Sequence, residues 1–226
     1  GFDEAEQRWF AEGMYANAVH GARALLDVVD FSPFRRLLDV GGNSGGYAIR
    51  ILEAHPTLEG TIFDLPAVQP LAEERIQASG LEGRLRFVAG SFFDDVLPRG
   101  HDVLLLSSIL HDWSDQDCAR ILARCFEALE PGGTVIVTEP MLDDDCQGPD
   151  HPSVSGLLMA VLGGENRTRT QVAAMLEAAG FVDPWKGPLG PQNSTVSARK
   201  PTDAWTTRAS VDAARRRRQD GVRGTR

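Results

Sequence analysis

The chain has 226 residues, of which 42% are hydrophobic and 24% are charged. This length and balance are typical of a soluble globular protein that buries a sizeable core, and they exclude fibrous and disordered classes. The longest apolar runs, such as 103–106 and 156–162, are much shorter than the roughly 20 residues of a membrane-spanning helix, so no transmembrane segment is predicted.

Charge is unevenly distributed along the chain. The formal net charge is −9, but residues 201–226 carry seven Arg and three Asp, so this tail is +4 and residues 1–200 are −13. An acidic body repels phosphate backbones, which disfavours nucleic-acid binding unless the Arg215 to Arg218 cluster supplies it alone. The tail is predicted to be disordered because it has almost no large apolar side chains to anchor it.

The amino terminus and the cysteine content favour a cytoplasmic location. Residues 1–6 have neither the cationic start nor the apolar stretch of a signal peptide. The three cysteines, Cys118, Cys125 and Cys146, are an odd number in a chain of this length. That count is more typical of a reduced cytoplasmic protein than of a disulfide framework.

Short β-rich runs alternate along the chain with amphipathic segments, which is the pattern of a parallel sheet with crossover helices. Strands are predicted at 37–40, 61–64, 85–89, 103–106 and 134–138, with a last pair near Phe181 and at 195–198. Most of these runs are apolar without alternation. They are therefore predicted to be buried on both faces of the sheet.

One helix is clearly delimited by its sequence. Ser114 and the residues after it form a capping box, and an apolar stripe at helical spacing runs from Cys118 to Leu129, with Pro131-Gly132-Gly133 as the stop signal. Because Cys118 and Cys125 share this stripe, they are interpreted as core thiols and not as metal ligands.

A second helix is predicted nearer the carboxyl end. Thr168 is its cap, and Gln171 follows three residues later, as a capping box requires. Gly180 supplies the stop signal, since glycine is the usual residue just after a helix.

The first predicted strand runs directly into Gly41-Gly42-Asn43-Ser44-Gly45-Gly46, and a helical stretch follows from Tyr47. A loop with few side chains at this place lets a ligand approach backbone N–H groups and the positive end of the next helix. A dinucleotide fingerprint has glycine where Asn43 stands, so the close approach of a pyrophosphate is disfavoured. The alternative is a plain turn that begins a helix.

Asp64 ends the second strand, where a carboxylate can accept both hydroxyls of a ribose. Together with the glycine loop, it predicts a ligand that contains adenosine without phosphates. Taken alone, an Asp before Leu65-Pro66 is equally suited to cap the next helix.

A histidine follows the fourth strand, in the run Ser107 to Trp113. This places His111 at the carboxyl edge of the sheet, where open α/β folds bind ligands. The fifth strand ends in Glu139, so a carboxylate from the neighbouring strand is predicted to orient the imidazole. A base with a pKa near neutrality is suited to removing the proton of a hydroxyl group.

Four runs, in this order, resemble the S-adenosylmethionine-dependent O-methyltransferases of the plant caffeate and isoflavone type. They are LLDVGGNSGG, TIFDLP, SSILHDWSDQDCARIL and ALEPGGTVIVTEPML. Bacterial relatives of these enzymes modify polyketides, phenazines and other secondary metabolites. The resemblance covers about residues 10–200 and implies a Rossmann-like, seven-stranded α/β methyltransferase fold. It also implies S-adenosylmethionine as cofactor and a hydroxyl of a small aromatic or polyketide-like molecule as acceptor.

The resemblance implies roles for individual residues. His111 is the implied general base, oriented by Glu139, and Asp112 lies close to the substrate. The residues implied to bind the cofactor are Asp39, Gly41, Gly42, Gly45, Asp64, Leu65, Ser91, Phe92 and Ser107. Those implied to line the acceptor pocket are Met14, Trp113, Met159 and Asn166, of which the two methionines and the tryptophan are equally consistent with core packing. No metal site is implied.

Three positions depart from the family pattern. Ser91 stands where the family has an Asp that meets the adenine, and Ser107 stands where plant members have a Lys. Asn166 replaces a second catalytic acid before Arg-Thr, although Glu165 could substitute for that acid after a small shift. Asparagine can orient a histidine but cannot share its charge. These departures question cofactor contact and base activation, but not the fold.

The expected organisation is a helical segment at 1–30, a cofactor-binding catalytic domain at 31–200 and the Arg-rich tail at 201–226. Family members carry a winged-helix-like amino-terminal domain that forms a dimer, and this sequence lacks it. The chain is therefore interpreted as a fragment or as a minimal version. A homodimer is expected for the full-length form, and an exposed apolar patch for the isolated chain.

The sequence is also consistent with two other functions. The first is methylation of a carbon beside the ketone of an α-keto acid, with a metal held by His111, Asp112 and His151, because a Lewis acid assists that proton removal. His151 is better interpreted as a surface histidine, because it lies between Asp150 and Pro152 in an expected loop. The second is a cofactor-binding protein that no longer methylates, which Ser91, Ser107 and Asn166 suggest.

Overall fold

The computed structural model describes residues 4–145, 148, 164–188, 190 and 192–202, with the backbone alone for residues 4–11. Its helices are α1 Glu4–Leu26, α2 Gly46–Ala54, α3 Gln69–Ala78, α4 Asp115–Ala128 and α5 Arg169–Ala178. Its strands are β1 Arg36–Val40, β2 Glu59–Asp64, β3 Leu85–Ala89, β4 His101–Ser107, β5 Leu129–Glu139, β6 Val182–Lys186 and β7 Ser194–Arg199. Two short 3-10 helices lie at Pro66–Val68 and Leu110–Asp112.

Within the described residues, the strands form one seven-stranded sheet in the order β3-β2-β1-β4-β5-β7-β6. The pairs among β1 to β5 are all parallel, and β7 is antiparallel to both β5 and β6. The predicted seven-stranded α/β fold is confirmed. The order turns back between β1 and β4, so a crevice opens between the carboxyl ends of these two strands.

The central strands bury both of their faces, as their apolar runs predicted. Leu38, Leu104 and Val135 belong to a core shared with α4 and α5. Leu37 and Val103, each adjacent in sequence to one of those residues, belong to a second core shared with α1, α2 and α3. Successive side chains of a strand point to opposite faces, so an unbroken apolar run supplies both cores at once.

Helix α4 begins as predicted but ends earlier than the apolar stripe indicated. The Ser114 hydroxyl accepts a hydrogen bond from the Asp117 N–H, and the helix stops at Ala128. Leu129, which was assigned to the helical stripe, is instead the first residue of β5 and pairs with His101. Pro131-Gly132-Gly133 lies in an irregular part of β5, where the register with β4 shifts, and regular pairing begins at Thr134.

Helix α5 has the predicted capping box, in which Thr168 and Gln171 each bind the other's backbone N–H.

At the other end of the chain, α1 packs on α2, with Ala22 and Leu25 fully buried. Among the helices that the structure describes, none combines the length and the apolar character needed to cross a membrane. The predicted disorder of the tail concerns residues 203–226, which lie outside the described residues.

Candidate functional site

The predicted site residues come from four adjacent strand ends. In sheet order these are Asp64 at the end of β2, the glycine loop after β1, Ser107 at the end of β4 and Glu139 at the end of β5. His111 follows β4 in the short 3-10 helix. The crevice between β1 and β4 therefore has an adenosine-type site on one side and a histidine on the other.

The glycine loop is packed too closely to accept side chains. Gly41 has φ +70° and Gly45 has φ +86°, a left-handed region that favours glycine. A Cβ on Gly41 would collide with the Ile109 side chain, and one on Gly45 would lie 2.6 Å from Ile62 Cδ1. The loop thus presents main-chain groups at the amino end of α2, where the helix dipole favours an anion.

Asp64 is held against this loop by two backbone hydrogen bonds. The Asn43 N–H donates to Oδ2 at 2.7 Å, and the Leu65 N–H donates to Oδ1 at 2.6 Å. Burial raises the pKa of Asp64, and these two donors act in the opposite direction. Each carboxylate oxygen has a second lone pair, so Asp64 can accept two further hydroxyl groups, as a ribose would require.

Asn43 does not disturb the loop, although it stands where a dinucleotide site has glycine. It adopts φ +49°, which Asn tolerates better than most residues, and its side chain accepts the Ser44 N–H at 2.6 Å. Asn43 therefore replaces a glycine in conformation while its side chain closes a local turn.

A second carboxylate lies beneath the loop. Asp39 is fully buried, and neither of its oxygens has a hydrogen bond of ordinary geometry within the described residues. Burial and the nearby Asp64 charge raise the pKa of Asp39 to about 7, against the opposing effect of the Ala48 N–H. A Cβ on Gly42 would lie 2.6 Å from its Oδ2 atom. A cationic ligand above Gly42 would favour the ionised form of this acid.

These features fit S-adenosylmethionine, which carries a ribose, a carboxylate and two cationic groups. Asp64 offers acceptors for the ribose, the amino end of α2 suits the carboxylate, and buried Asp39 suits a cation.

Ser91 is hydrogen-bonded to two acidic residues. Its hydroxyl donates to Asp94 Oδ2 at 2.9 Å, and its backbone N–H donates to Asp95 Oδ2 at 2.9 Å. Both acids are exposed and belong to the turn after β3. The folded turn thus places two carboxylates beside Ser91.

An aromatic cluster lies between the loop and the histidine. The Trp113 ring centroid is 4.7 Å from that of Phe93 and 5.9 Å from that of Phe92, both edge to face. A Cβ on Gly41 would lie 3.6 Å from Phe92 Cε1. The structure thus brings Phe92 to the loop and joins Trp113 to it. Edge-to-face pairs of this kind stabilise a cluster beyond the area they bury.

His111 is largely enclosed. Its side chain is 12% exposed, and its Nε2 atom lies 3.5 Å from Asp112 Oδ1. The Nδ1 atom is buried without a hydrogen-bond partner among the described residues. Asp112 is half exposed, and burial raises its pKa against the opposing effect of His111.

Glu139 reaches His111 through the main chain. Its Oε2 accepts the His111 backbone N–H at 3.2 Å, so in this geometry it fixes the turn and does not bind the imidazole ring. Glu139 is fully buried, and that burial raises its pKa. The charges of His111 and Arg167 and two backbone donors act in the opposite direction.

The segment before α5 packs against the back of the histidine turn. The Glu165 N–H donates to the His111 carbonyl at 2.8 Å, and a Cβ on Gly164 would collide with that same carbonyl. Asn166 is buried next to these residues. The predicted Glu165 substitution for the second acid is not the contact observed, since Glu165 binds through its backbone and its side chain is exposed.

Arg167 and Ile109 are site residues that the sequence analysis missed. Arg167 is buried and hydrogen-bonded to the main chain of the histidine turn, and Ile109 closes over Gly41. The sequence features that could have indicated them are an arginine directly before a helix cap and an apolar residue two positions before His111. Neither signal specifies a contact without the fold.

The remaining predicted residues lie in different places. Ser107 is half-buried at the strand end, and Ser108 leaves the strand with φ +52°, its N–H bound to Thr138 O at 2.9 Å. Met14 is on α1 with 43% of its side chain exposed, one residue before Tyr15, which packs near Gly46. Met159 lies outside the described residues.

Metal binding has no support in the described part of the chain. There, His, Cys, Asp and Glu form no group of three or more that could hold an ion, and His151 lies outside it. Cys118 and Cys125 are fully buried, and burial raises the pKa of their thiols to about 11 and about 12. The two thiols are therefore protonated core side chains.

Comparison with known proteins gives concordant matches. Residues 1–182 match the family described as the O-methyltransferase domain. The chain is 44% identical over 172 residues to a 3-hydroxy-5-methyl-1-naphthoate 3-O-methyltransferase of Streptomyces sahachiroi, a match that covers 76% of this chain and 50% of the relative. It is 39% identical over 160 residues to the acetylserotonin O-methyltransferase of Gallus gallus, covering 70% of this chain and 46% of that protein.

Solved structures agree with the sequence matches. The structure of human N-acetylserotonin methyltransferase in complex with SAM superposes with a TM-score of 0.81 at 32% identity, covering 88% of this chain and 57% of that chain. The mitomycin 7-O-methyltransferase MmcR gives a TM-score of 0.78 at 30% identity, covering 87% and 58%. The present chain thus spans about half the length of the relatives it matches.

Proposed function

Because the chain belongs to the O-methyltransferase domain family, we propose that it acts as an S-adenosylmethionine-dependent O-methyltransferase on a hydroxyl group of a small aromatic or polyketide-like natural product. One observation carries the proposal. The glycine loop with Asp64 and the enclosed His111 lie on opposite sides of the β1–β4 crevice, where open α/β sheets bind ligands.

The aromatic acceptor class is supported by two similar proteins. The Streptomyces sahachiroi relative is named for methylating the 3-hydroxyl of a naphthoate, and the structurally similar MmcR is named for a mitomycin. The enclosed aromatic cluster at Trp113 suits a planar acceptor. Met14, Met159 and Asn166 remain proposed pocket residues.

The cofactor site is proposed to use both main-chain and side-chain groups. Asp64 binds the ribose, the loop at Gly41, Gly42 and Gly45 admits the amino-acid end, and Asp39 supplies negative charge beneath it. Leu65, Ser91, Phe92 and Ser107 complete the proposed set. When bound, S-adenosylmethionine supplies a methyl group already activated by its sulfonium.

The chain's own chemical task is then to place the acceptor oxygen and remove its proton. A phenol has a pKa near 10, so a neutral imidazole suits this role at neutral pH. We assign it to His111 Nε2, because Nδ1 is buried and Nε2 faces the half-exposed Asp112. The positive charge that His111 gains lies close to two carboxylates, Asp112 and Glu139, which stabilise it.

A homodimer of the full-length form is proposed on the family resemblance, and a cytoplasmic location on the odd number of cysteines. No nucleic-acid partner is proposed, because residues 1–200 carry a net charge of −13.

Calorimetric titration with S-adenosylmethionine, followed by a methyl-transfer assay with 3-hydroxy-5-methyl-1-naphthoate and a panel of simple phenols, tests the proposal. We expect micromolar binding and release of S-adenosylhomocysteine together with an aryl methyl ether, unchanged by a chelator. Binding without transfer to any hydroxyl would favour a cofactor-binding protein that no longer methylates. Chelator-sensitive methylation of carbon would favour the α-keto acid alternative.

A further inference from the structure

Several main-chain groups of the histidine turn are hydrogen-bonded to distant parts of the fold. The turn comprises Leu110, His111, Asp112 and Trp113. The His111 N–H donates to Glu139, and its carbonyl accepts the Glu165 N–H. The Asp112 and Trp113 N–H groups each donate to a carbonyl three residues earlier, at 3.1 Å.

The two carbonyls at the ends of this turn are both bound by the Arg167 side chain, and the Cys118 thiol also lies 3.2 Å from the Leu110 oxygen and 3.6 Å from the Trp113 oxygen. Arg167 Nη1 donates to the Leu110 carbonyl at 2.9 Å, and Nη2 donates to the Trp113 carbonyl at 3.0 Å. The planar guanidinium therefore spans the turn from behind and fixes the separation of its ends. A lysine ammonium can contact two carbonyls from one nitrogen, as Lys200 does with those of Phe126 and Leu129, but it lacks the planar fork with which Arg167 binds both carbonyls and Asp115 at once.

Arg167 is itself fixed from two directions. Its side chain is 3% exposed, and its Nε and Nη2 atoms both bind Asp115 Oδ1, at 3.0 and 2.7 Å. Its backbone carbonyl accepts the Leu142 N–H at 3.0 Å, and the next residue is Thr168, the cap of α5. A buried guanidinium with this number of partners is costly to place, so its contacts must favour one arrangement of the turn.

We infer that Arg167 is a positioning residue, which holds the His111 turn in the one backbone arrangement that presents the imidazole to the acceptor hydroxyl. This inference rests on the proposed role of His111 as base. Arg167 acts at a distance from the reacting atoms, through the carbonyls on either side of the histidine. A displacement of about 1 Å in a catalytic group can cost about 10²-fold in rate, which sets the expected size of the effect.

Arg169 supplies a matched control. It lies two residues further along, at the start of the same helix, and its Nη1 donates to the Gly187 carbonyl at 2.7 Å. It thus makes the same kind of arginine-to-carbonyl contact, but with the segment after β6 and not with the histidine turn. Arg169→Met removes a comparable contact and leaves the turn intact.

Amide hydrogen exchange on the 226-residue chain tests the inference without cofactor or acceptor. We expect Arg167→Met to accelerate exchange at 111–113 by about tenfold or more while the β4 and β5 amides keep their wild-type rates, and Arg169→Met to leave 111–113 unchanged. Uniform acceleration across the sheet, or none at the turn, would overturn the inference. If Arg167→Met does not fold, Arg167→Lys carries the same test, because it keeps the charge and loses the fork that binds both carbonyls and Asp115 together.

Kinetics with S-adenosylmethionine and 3-hydroxy-5-methyl-1-naphthoate give the second readout. We expect Arg167→Met and Arg167→Lys to lower kcat by about 10- to 100-fold, with the Kd of S-adenosylmethionine unchanged and Arg169→Met near wild type. Wild-type kcat in both variants would overturn the positioning role. No methyl transfer by the wild-type chain would refute the proposed function, whereas the exchange rates would still decide whether Arg167 fixes the turn.

Discussion

The two sides of the β1–β4 crevice are built in different ways. On the adenosine side, consecutive residues 39–46 and Asp64 supply nearly everything, and backbone groups supply much of it. On the histidine side, the turn at 110–113 depends on Glu139 and on 164–167, which are distant in sequence. A ligand site made of local main chain is specified by a short motif, whereas the placement of a base requires several separate parts of the fold.

The largest expected effect concerns the histidine side. His111→Gln removes the proposed base and keeps a polar side chain of similar size. We expect kcat to fall by about 10² to 10⁴ while the Kd of S-adenosylmethionine stays within twofold or so. His20→Gln, an exposed site on α1, is the control. If His111→Gln lowered cofactor binding and folding as much as kcat, the histidine would be structural.

The adenosine side is tested at Asp64. Asp64→Asn replaces one acceptor oxygen with a donor, so we expect the Kd of S-adenosylmethionine to rise by about 10- to 100-fold, the value of one or two hydrogen bonds to a charged group. At saturating cofactor, kcat should stay near wild type. Asp30→Asn, at an exposed aspartate that also accepts a backbone N–H, serves as control. Unchanged cofactor affinity in Asp64→Asn would mean that Asp64 only caps the following segment.

Gly41→Ala separates steric packing from backbone strain. Both Gly41 and Gly100 have positive φ, but only Gly41 has Ile109 where a Cβ would lie, whereas Gly100 has open space. We expect Gly100→Ala to cost about 1 kcal/mol in the free energy of unfolding and Gly41→Ala about 1–3 kcal/mol more, with weaker cofactor binding. Urea unfolding and calorimetry measure both. Equal costs at the two sites would show that the Ile109 contact is not restrictive.

A pH dependence of stability is expected from Asp39. Its pKa is raised from 3.8 to about 7, so the folded state holds this proton more tightly than the unfolded state does. The stability contributed by this site is therefore greatest below pH 4 and is lost as the pH rises towards 7, by at most about 1.4 kcal/mol per pH unit. Asp39→Asn should abolish this loss in urea unfolding between pH 5 and pH 8. If the free energy of unfolding had the same pH profile in the wild type and in Asp39→Asn, Asp39 would not be buried without a hydrogen bond.

Cofactor binding offers a second check on Asp39. A cation above Gly42 favours the ionised acid, so S-adenosylmethionine should bind more tightly at pH 8 than at pH 6 and release a proton below pH 7. Calorimetry in buffers of different ionisation enthalpy detects that proton. Asp39→Asn should bind with no such release.

Much of the fold was predictable from local patterns. The strands at 37–40, 61–64, 85–89 and 103–106 were found within one or two residues at each end, because runs buried on both faces lack polar interruptions. The cap at Ser114 was also correct, since capping depends on neighbouring residues. The end of α4 was not, because the pairing of Leu129 with His101 is a non-local contact.

The sequence by itself determined the family, the class of fold, the glycine loop, the acid that follows it and the position of the histidine after its strand. These features arise from contiguous residues, whose chemistry and spacing are visible along the chain. Only the tertiary structure decided that Glu139 binds the backbone of His111 and not its ring, that Asp94 and Asp95 turn towards Ser91, and that Arg167 spans the histidine turn. Such contacts join residues far apart in sequence or direct side chains within a turn, so they depend on how the strands are ordered and how the loops fold back.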